Sequence, residues 1–388
     1  MTQTPFVFYG TAAWDAPWLT EQNLANALAE ERPVLYVEPP ITPLAPVRYG
    51  FRRESVPELR RLLRRSLRRS GRVHVLRPLA VPPREHAVAR RVSTPWVRWQ
   101  IARAVERLGF EAPVVVAAHS VVDWLGAAGE RASVYLAKDL VEAGSATLGK
   151  SAAELAGAQK RMCGAVSLVC AVTPRLQASL AERGVEAELL PHGFHVELAH
   201  AYDTAAPPAD LRDLPRPILG YTGRIDHRLD FAAIAALARR FEDGSIVLVG
   251  PVSPRLPATA LDGLRARDNV HLLGTRSRAA LPSYVRQLDV CVMPYREDEW
   301  LRNGSPLKLW DYLYAGPPVI GSGCEALLDY PLVRYASPPS DLPELAAEVL
   351  ASEDLERDAR RAFALANTWA DRGRRLVELI GERVPAAT

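Results

Sequence analysis

Cysteine and lysine are scarce in this chain of 388 residues, and charge of one sign is not in excess. The four cysteines, Cys163, Cys170, Cys291 and Cys324, form no Cys-x-x-Cys pair and no zinc-ligand spacing. That argues against a disulfide scaffold and against a cysteine metal site, and favours reduced thiols in a cytoplasmic protein. No apolar run reaches the roughly 18 residues of a membrane span, and no basic, apolar, small-residue leader opens the chain, so neither insertion nor secretion is expected. With 48 Lys and Arg against 45 Asp and Glu, the formal charge of +3 is too small to argue for nucleic acid. Arginine and alanine far outnumber lysine, a mark of a GC-rich genome rather than of mechanism. What remains is an ordinary soluble composition, 48% hydrophobic and 24% charged, at a length that suggests two domains.

Short apolar runs at 5–9, 33–37, 73–76, 113–118, 133–137, 166–172 and 185–190 read as strands, with helical spacing between most of them. Strand, helix, strand implies a parallel sheet with right-handed crossovers. The pattern restarts at 218–225, 245–251, 269–274 and 290–294, and the last helices are placed at 342–352 and 354–382. Residues 203–217 hold four prolines and no hydrophobic period, which reads as a linker. Ligands of such open sheets lie beyond the carboxyl ends of the strands. Gly10 and Thr11 after the first strand are therefore candidates, against the alternative of an ordinary turn. His119, at the end of 113–118, is either a cleft residue contacting a sugar or acceptor hydroxyl or a structural histidine. Gly223 lets the backbone approach a ligand, and Arg224 can fork onto phosphate oxygens.

The stretch 303–320, Asn-Gly-Ser-Pro-Leu-Lys-Leu-Trp-Asp-Tyr-Leu-Tyr-Ala-Gly-Pro-Pro-Val-Ile, is the most informative. Ser305 as cap, Pro306 at the first position and the Gly316-Pro317-Pro318 stop mark a helix over 306–315. Its free amides around Pro306, Leu307 and Lys308, with the positive end of its dipole, favour an anion such as phosphate. Asp311, one turn on, can accept hydrogen bonds from a ribose diol.

This stretch resembles the donor-site signature of GT-B glycosyltransferases of the retaining, family-4-like type, whose two acidic positions are followed by Ala-x-Gly-x-Pro-Val. Asp311 falls on the second acidic position, Ala315 to Ile320 match the tail, and Asn303 replaces the first acid, which in that family contacts the donor sugar. The acidic run at 297–299 is either a substitute or a solvated loop. The resemblance extends to Gly223-Arg224, whose arginine binds the donor diphosphate in that family, and to the Gly274-Thr275 turn, where the nucleotide base is received. Val172-Thr173-Pro174 and Pro191-His192-Gly193 look like the family's closing motifs of the N-terminal domain. Asp139 matches one member of an acidic pair often found at its turn, and Lys138 departs from the other.

The resemblance implies an α/β protein of GT-B type, with two Rossmann-like doubly wound domains facing a cleft. The domains are expected at 1–202 for the acceptor and 218–365 for the donor, with a final segment 366–388 returning to the first. It implies transfer from a nucleotide-diphosphate sugar, as co-substrate rather than cofactor, to a hydroxyl of a saccharide, lipid-linked or natural-product acceptor. Retention follows from the resemblance alone, while Arg224 and Lys308 would do the work of a metal ion, so none is required. His119 and Asn303 stand as the catalytic candidates. Ser305, Pro306, Leu307, Lys308 and Asp311, with Gly10, Thr11, Gly223, Arg224, Gly274 and Thr275, stand as the binding ones. A GT-B nucleotide-sugar epimerase and a catalytically inactive nucleotide-binding partner subunit are the rivals.

Residues 51–72 carry nine arginines against two glutamates, and Leu59, Leu62, Leu63 and Leu67 recur at helical spacing. Residues 57–70 therefore read as a basic amphipathic helix. It is either a peripheral contact with the inner face of the membrane or a solvated helix packed by its leucines.

Overall fold

The computed structural model describes residues 3–42, 66–81, 87–120, 122–145 and 150–384. The chain divides into two compact units: residues 1–172, 177–190 and 372–388 form unit 1, and residues 173–176 and 191–371 form unit 2.

Unit 1 is built on strands β1 (Phe6–Tyr9), β2 (Val34–Val37), β3 (Leu67–Ser70), β4 (Val73–Leu76), β5 (Val114–Ala117), β6 (Ala132–Ala137), β7 (Leu168–Ala171) and β8 (Glu188–Leu189). Their order is β3-β4-β2-β1-β5-β6-β7-β8, with the first strand inside the sheet, as double winding requires. All neighbours pair in parallel except β3 with β4. Every residue of β1, β2, β5, β6 and β7 is buried. Covered on both faces, these strands read as continuous apolar runs without alternation. The helices labelled here are α1 (Thr20–Leu28), α2 (Ala87–Arg107) and α3 (Ala152–Ala165), the last opened by a Ser151–Glu154 capping box.

Unit 2 repeats the scheme with β9 (Ile218–Thr222), β10 (Ser245–Val249), β11 (Val270–Gly274), β12 (Val290–Pro294), β13 (Val319–Ser322) and β14 (Val333–Ala336) in the order β11-β10-β9-β12-β13-β14. All of its pairs are parallel. Among its helices are α4 (Phe231–Arg240), α5 (Lys308–Ala315), α6 (Leu342–Ala351) and α7 (Arg357–Leu365), and α8 (Trp369–Arg383) follows.

Three expectations are corrected. Leu67–Ser70 is not helical: it pairs antiparallel with β4, Arg68 forms ion pairs with Asp15 and buried Glu38, and the Trp14 indole donates to Ser70 Oγ at 3.1 Å. Tertiary pairing here overrides the leucine spacing; residues 57–65 of the expected helix lie outside the described residues. The expected linker 203–217 and residues 191–202 before it are part of unit 2: Leu211 and Tyr202 are buried in its core, and Phe194 stacks on Tyr314 at 4.3 Å. The last long helix is broken into α7 and α8. Phe194 N donates to Asn367 O and Trp369 N to Phe194 O, and Thr368 and Asp371 cap the restart.

Arg360 of α7 ends the signature helix. Only 2% exposed, it donates from Nε and Nη2 to the carbonyl of Gly316, the left-handed cap of α5, at 3.0 and 2.7 Å, and from Nη2 to Asp354 at 2.6 and 2.5 Å. Removing one partner of a buried pair strands the other and the carbonyl. Arg360→Ala is expected to destabilise unit 2 by about 3–5 kcal/mol. A lowered urea midpoint checks this, and an unchanged midpoint contradicts it.

Candidate functional site

The carboxyl edge of the second sheet is where three backbone turns crowd together. Gly223 N donates to Val249 O at 2.8 Å and Gly250 N to Gly274 O at 2.9 Å, so the ends of β9, β10 and β11 are joined by main chain. A Cβ on Gly250 would fall 1.9 Å from the Gly223 carbonyl oxygen. Gly223 itself has φ +138°, and a Cβ there would fall 2.6 Å from Lys308 Nζ. Both positions need glycine on backbone angle and on space. The expected approach at Gly223 is thus to a lysine of the signature helix.

That lysine is held by two tyrosines. Lys308 Nζ donates to Tyr295 Oη at 3.1 Å, sits 3.8 Å from the ring centroid of Tyr221 and 5.5 Å from that of Tyr295. Ring quadrupoles stabilise the cation face-on. Burial, and then the nearby positive charge of Arg228, nevertheless pull its pKa well below the usual lysine range, with Asp226 opposing them. Arg228 is forked onto Asp226, Nε to Oδ1 at 2.9 Å and Nη2 to Oδ2 at 2.8 Å, so its own charge is largely answered. Lys308 also opens α5, where the helix dipole adds further positive potential. An anion brought to this amine would relieve its desolvation.

The helix is fixed in register by its buried face. Leu309, Trp310, Tyr312 and Leu313 are buried, and the Tyr312 hydroxyl accepts from Thr222 N at 2.6 Å, tying α5 to the end of β9. Asp311, one turn after Lys308, receives a hydrogen bond from Tyr202 and lies in the field of Arg278. Burial outweighs both and raises its pKa to about 6.

The other sequence candidates in unit 2 are placed differently. Arg224 is exposed just past Gly223, and its carbonyl accepts from Tyr221 Oη at 3.1 Å. Gly274, with φ +72°, has open space where a Cβ would stand, and Thr275 beside it is exposed. Ser305 does not cap α5: its Oγ bonds Tyr330 Oη at 2.9 Å, and the helix starts at Lys308. Pro306 and Leu307 form the lead-in turn, their carbonyls accepting from Leu309 N and Trp310 N. Asn303 is buried at the end of the short helix Glu299–Asn303, its Nδ2 turned back to Glu299 O and its carbonyl accepting from Thr173 Oγ1 at 2.9 Å.

Unit 1 gathers its own candidates at the ends of β1, β5 and β6. Thr11 N and Oγ1 both donate to Glu21, and Lys138 Nζ donates to Glu21 Oε2 at 2.8 Å and to Thr11 Oγ1 at 3.2 Å. Burial works against the Glu21 carboxylate, yet Lys138 and Thr11 hold its pKa below the ordinary value. His119 packs edge-on against Trp124, and burial with the charge of Lys138 pushes it down to about 4, so it is neutral at pH 7. Gly10 is explained by packing: a Cβ there would fall 1.9 Å from Tyr36 Oη. Among the described residues no group of three or more His, Cys, Asp or Glu is arranged as metal ligands.

Sequence reading missed Tyr221 and Tyr295, the Asp226–Arg228 fork, and Tyr202 with Arg278 around Asp311. The available signal was positional: Tyr221 lies in the run before Gly223, and Tyr295 directly follows β12.

Residues 216–352 match the family described as Glycosyl transferases group 1. Residues of this chain are 30% identical over 131 positions to a protein named as a teichuronic acid biosynthesis glycosyltransferase, TuaH of Bacillus subtilis (strain 168), covering 34% of this chain and 33% of that protein. The chain thus spans about a third of the length of the curated relatives it matches, 33% and 35%. Solved structures align over nearly the whole chain at low identity. Sucrose-phosphate synthase from Thermosynechococcus elongatus superposes with TM-score 0.73 at 16% identity, over 98% of this chain and 99% of that one. Anabaena HepE in complex with UDP and glucose superposes with TM-score 0.65 at 15% identity, over 98% and 100%. The chain has the GT-B fold, two Rossmann-like units, and its residues 216–352 are similar to the family described as Glycosyl transferases group 1.

Proposed function

We propose that this protein is a glycosyltransferase that moves a sugar from a nucleotide-diphosphate donor to an acceptor hydroxyl. The observation that carries the reading is Lys308, held between Tyr221 and Tyr295 at the start of α5 and against Gly223. In the transfer, the bond from the anomeric carbon to the diphosphate oxygen breaks as the acceptor oxygen bonds that carbon and loses its proton. Negative charge then grows on the diphosphate. Fixed positive charge from Lys308, the opening turn of α5 and exposed Arg224 stabilises it where it develops, and no metal ion is called upon. Asp311 accepts the ribose diol. The match over 216–352 and the fold shared with HepE, solved with UDP and glucose, support a nucleotide-sugar donor. The acceptor is a saccharide, lipid-linked or natural-product hydroxyl on the unit 1 side, beside Thr11 and neutral His119, and the sugar keeps its anomeric configuration.

One observation favours a second reading. A neutral, buried Asn303 stands where the resembling family has a carboxylate, which suits a subunit that binds nucleotide without transferring sugar. Slow hydrolysis of a donor sugar in the absence of acceptor favours the enzyme, and intact binding with no turnover favours the inert subunit.

UDP is expected to bind in the presence of EDTA, and Lys308→Ala and Arg224→Ala each to weaken it by about 1.5–3 kcal/mol, the worth of a charge-assisted contact. Calorimetry measures this, and binding that vanishes on chelation contradicts the metal-free site.

Asp311 predicts a pH dependence whose sign is fixed. The ionised carboxylate is the form that accepts two hydroxyl protons, and its pKa stands at about 6. UDP affinity should therefore fall as pH drops from 7 to 5, by about tenfold once the pH is a unit below that pKa. In Asp311→Asn that component is lost, and the titration of the phosphate itself cancels in the ratio of parent to variant. Parallel pH profiles for the two proteins would assign Asp311 a structural role.

A further inference from the structure

Helix α2 has two unlike faces. Val97, Ile101, Ala104 and Val105 form its buried stripe. On the outside, Val92, Trp96 and Trp99 are 60%, 45% and 52% exposed, spaced at i, i+4 and i+7, with exposed Pro95 between them. The two indoles stack at 4.8 Å and 13°. Single exposed apolar side chains are ordinary, but two stacked indoles and a valine on one stripe form a patch that water penalises.

The charge around the patch is net positive, although Arg98 is turned to the carbonyls of Asp123 and Leu125. Helix α2 carries Arg90, Arg91, Arg98, Arg103 and Arg107 against the single acid Glu106, which is already paired with Arg103 at 2.6 Å. A cavity of about 480 Å³ beside Trp99 has Ser66, Gln100, Arg103, Glu106 and Arg107 among its lining residues. Ser66 directly follows residues 52–65, which hold six arginines against two glutamates. The basic run therefore joins the described fold beside the tryptophans. A second copy laid symmetrically on this face would meet the same positive charge, whereas anionic headgroups supply the opposite sign.

We propose that the Val92–Trp96–Trp99 face of α2 docks on an anionic lipid surface, the indoles at the boundary of headgroups and acyl chains and the arginines on headgroup phosphates. Among the described residues no helix is long and apolar enough to cross a membrane, so the contact is peripheral. The inference is independent of the glycosyl-transfer reading, since the donor residues belong to unit 2 and α2 to unit 1.

The test is sedimentation of the full chain with vesicles of equimolar phosphatidylcholine and phosphatidylglycerol, and with vesicles of phosphatidylcholine alone. The parent should be retained by the anionic vesicles, weakly or not at all by the neutral ones, and released as ionic strength rises. Trp96→Ser with Trp99→Ser should weaken retention on the order of tenfold or more, with an unchanged melting temperature because both rings are exposed. Arg103→Gln with Arg107→Gln should reduce the salt-sensitive part while keeping both indoles. Retention by neither vesicle, equal retention by both, or equal retention of parent and tryptophan variant overturns the proposal. Self-association of the parent that the tryptophan variant abolishes, seen by sedimentation velocity, would assign the face to a second copy instead and overturn it likewise.

Discussion

The constraint on which unit 2 depends is the confinement of one amine. Lys308 is brought to the mouth of a helix, beside the carboxyl end of β9, into a space that a Cβ on Gly223 would take away. Two tyrosine rings and one hydroxyl compensate it without supplying a negative charge, and Asp226, the carboxylate whose field opposes the lowering of its pKa, is already forked by Arg228. The amine is thus held by rings and a hydroxyl rather than by a carboxylate of its own. A diphosphate complements such a place better than water does, because water cannot answer a net charge with a net charge.

The rest of the unit holds that geometry. Tyr312 ties α5 to Thr222, Arg360 ties the other end of the helix through the Gly316 carbonyl, and Trp310 stacks on Phe363 at 5.8 Å and 6°. A helix of eight residues is too short to be stable on propensity alone, and its buried face and tethered ends do that work. Rigidity matters because fixed dipoles and charges stabilise developing charge only if they need not reorganise.

Much of the fold was legible in sequence for one physical reason. Parallel strands covered on both faces must be apolar throughout, so β1, β5, β9 and β10 stand out as uninterrupted runs with Gly, Thr or His at their ends. Leu67–Ser70 was misread because its leucine continues a helical spacing from upstream, while the pairing that makes it a strand is a hairpin with β4, anchored by Trp14, Asp15 and Glu38 from far away in the chain. The end of α5 was legible from Gly316, but its start was not, since Ser305 finds Tyr330 rather than the helix amides. Gly223 was readable from its place at a strand end, and Lys308 and Asp311 from the polar stripe of the signature helix. The tyrosine cage was not: Tyr221, Tyr295 and Lys308 meet only after β9, β12 and α5 are assembled, and no local pattern encodes that meeting. The exposed indoles of α2 were equally silent, because helical spacing alone does not say which stripe faces inward.

The most direct test of the account is a double-mutant cycle on UDP affinity with Gly223→Ala and Lys308→Met, followed by calorimetry. If the Cβ at 223 acts by displacing the caged amine, both substitutions remove the same contact, and the double variant loses no more than the weaker-binding single one. Losses that add in the double variant would mean that the glycine and the lysine serve the nucleotide separately, and would contradict the cage as the diphosphate site.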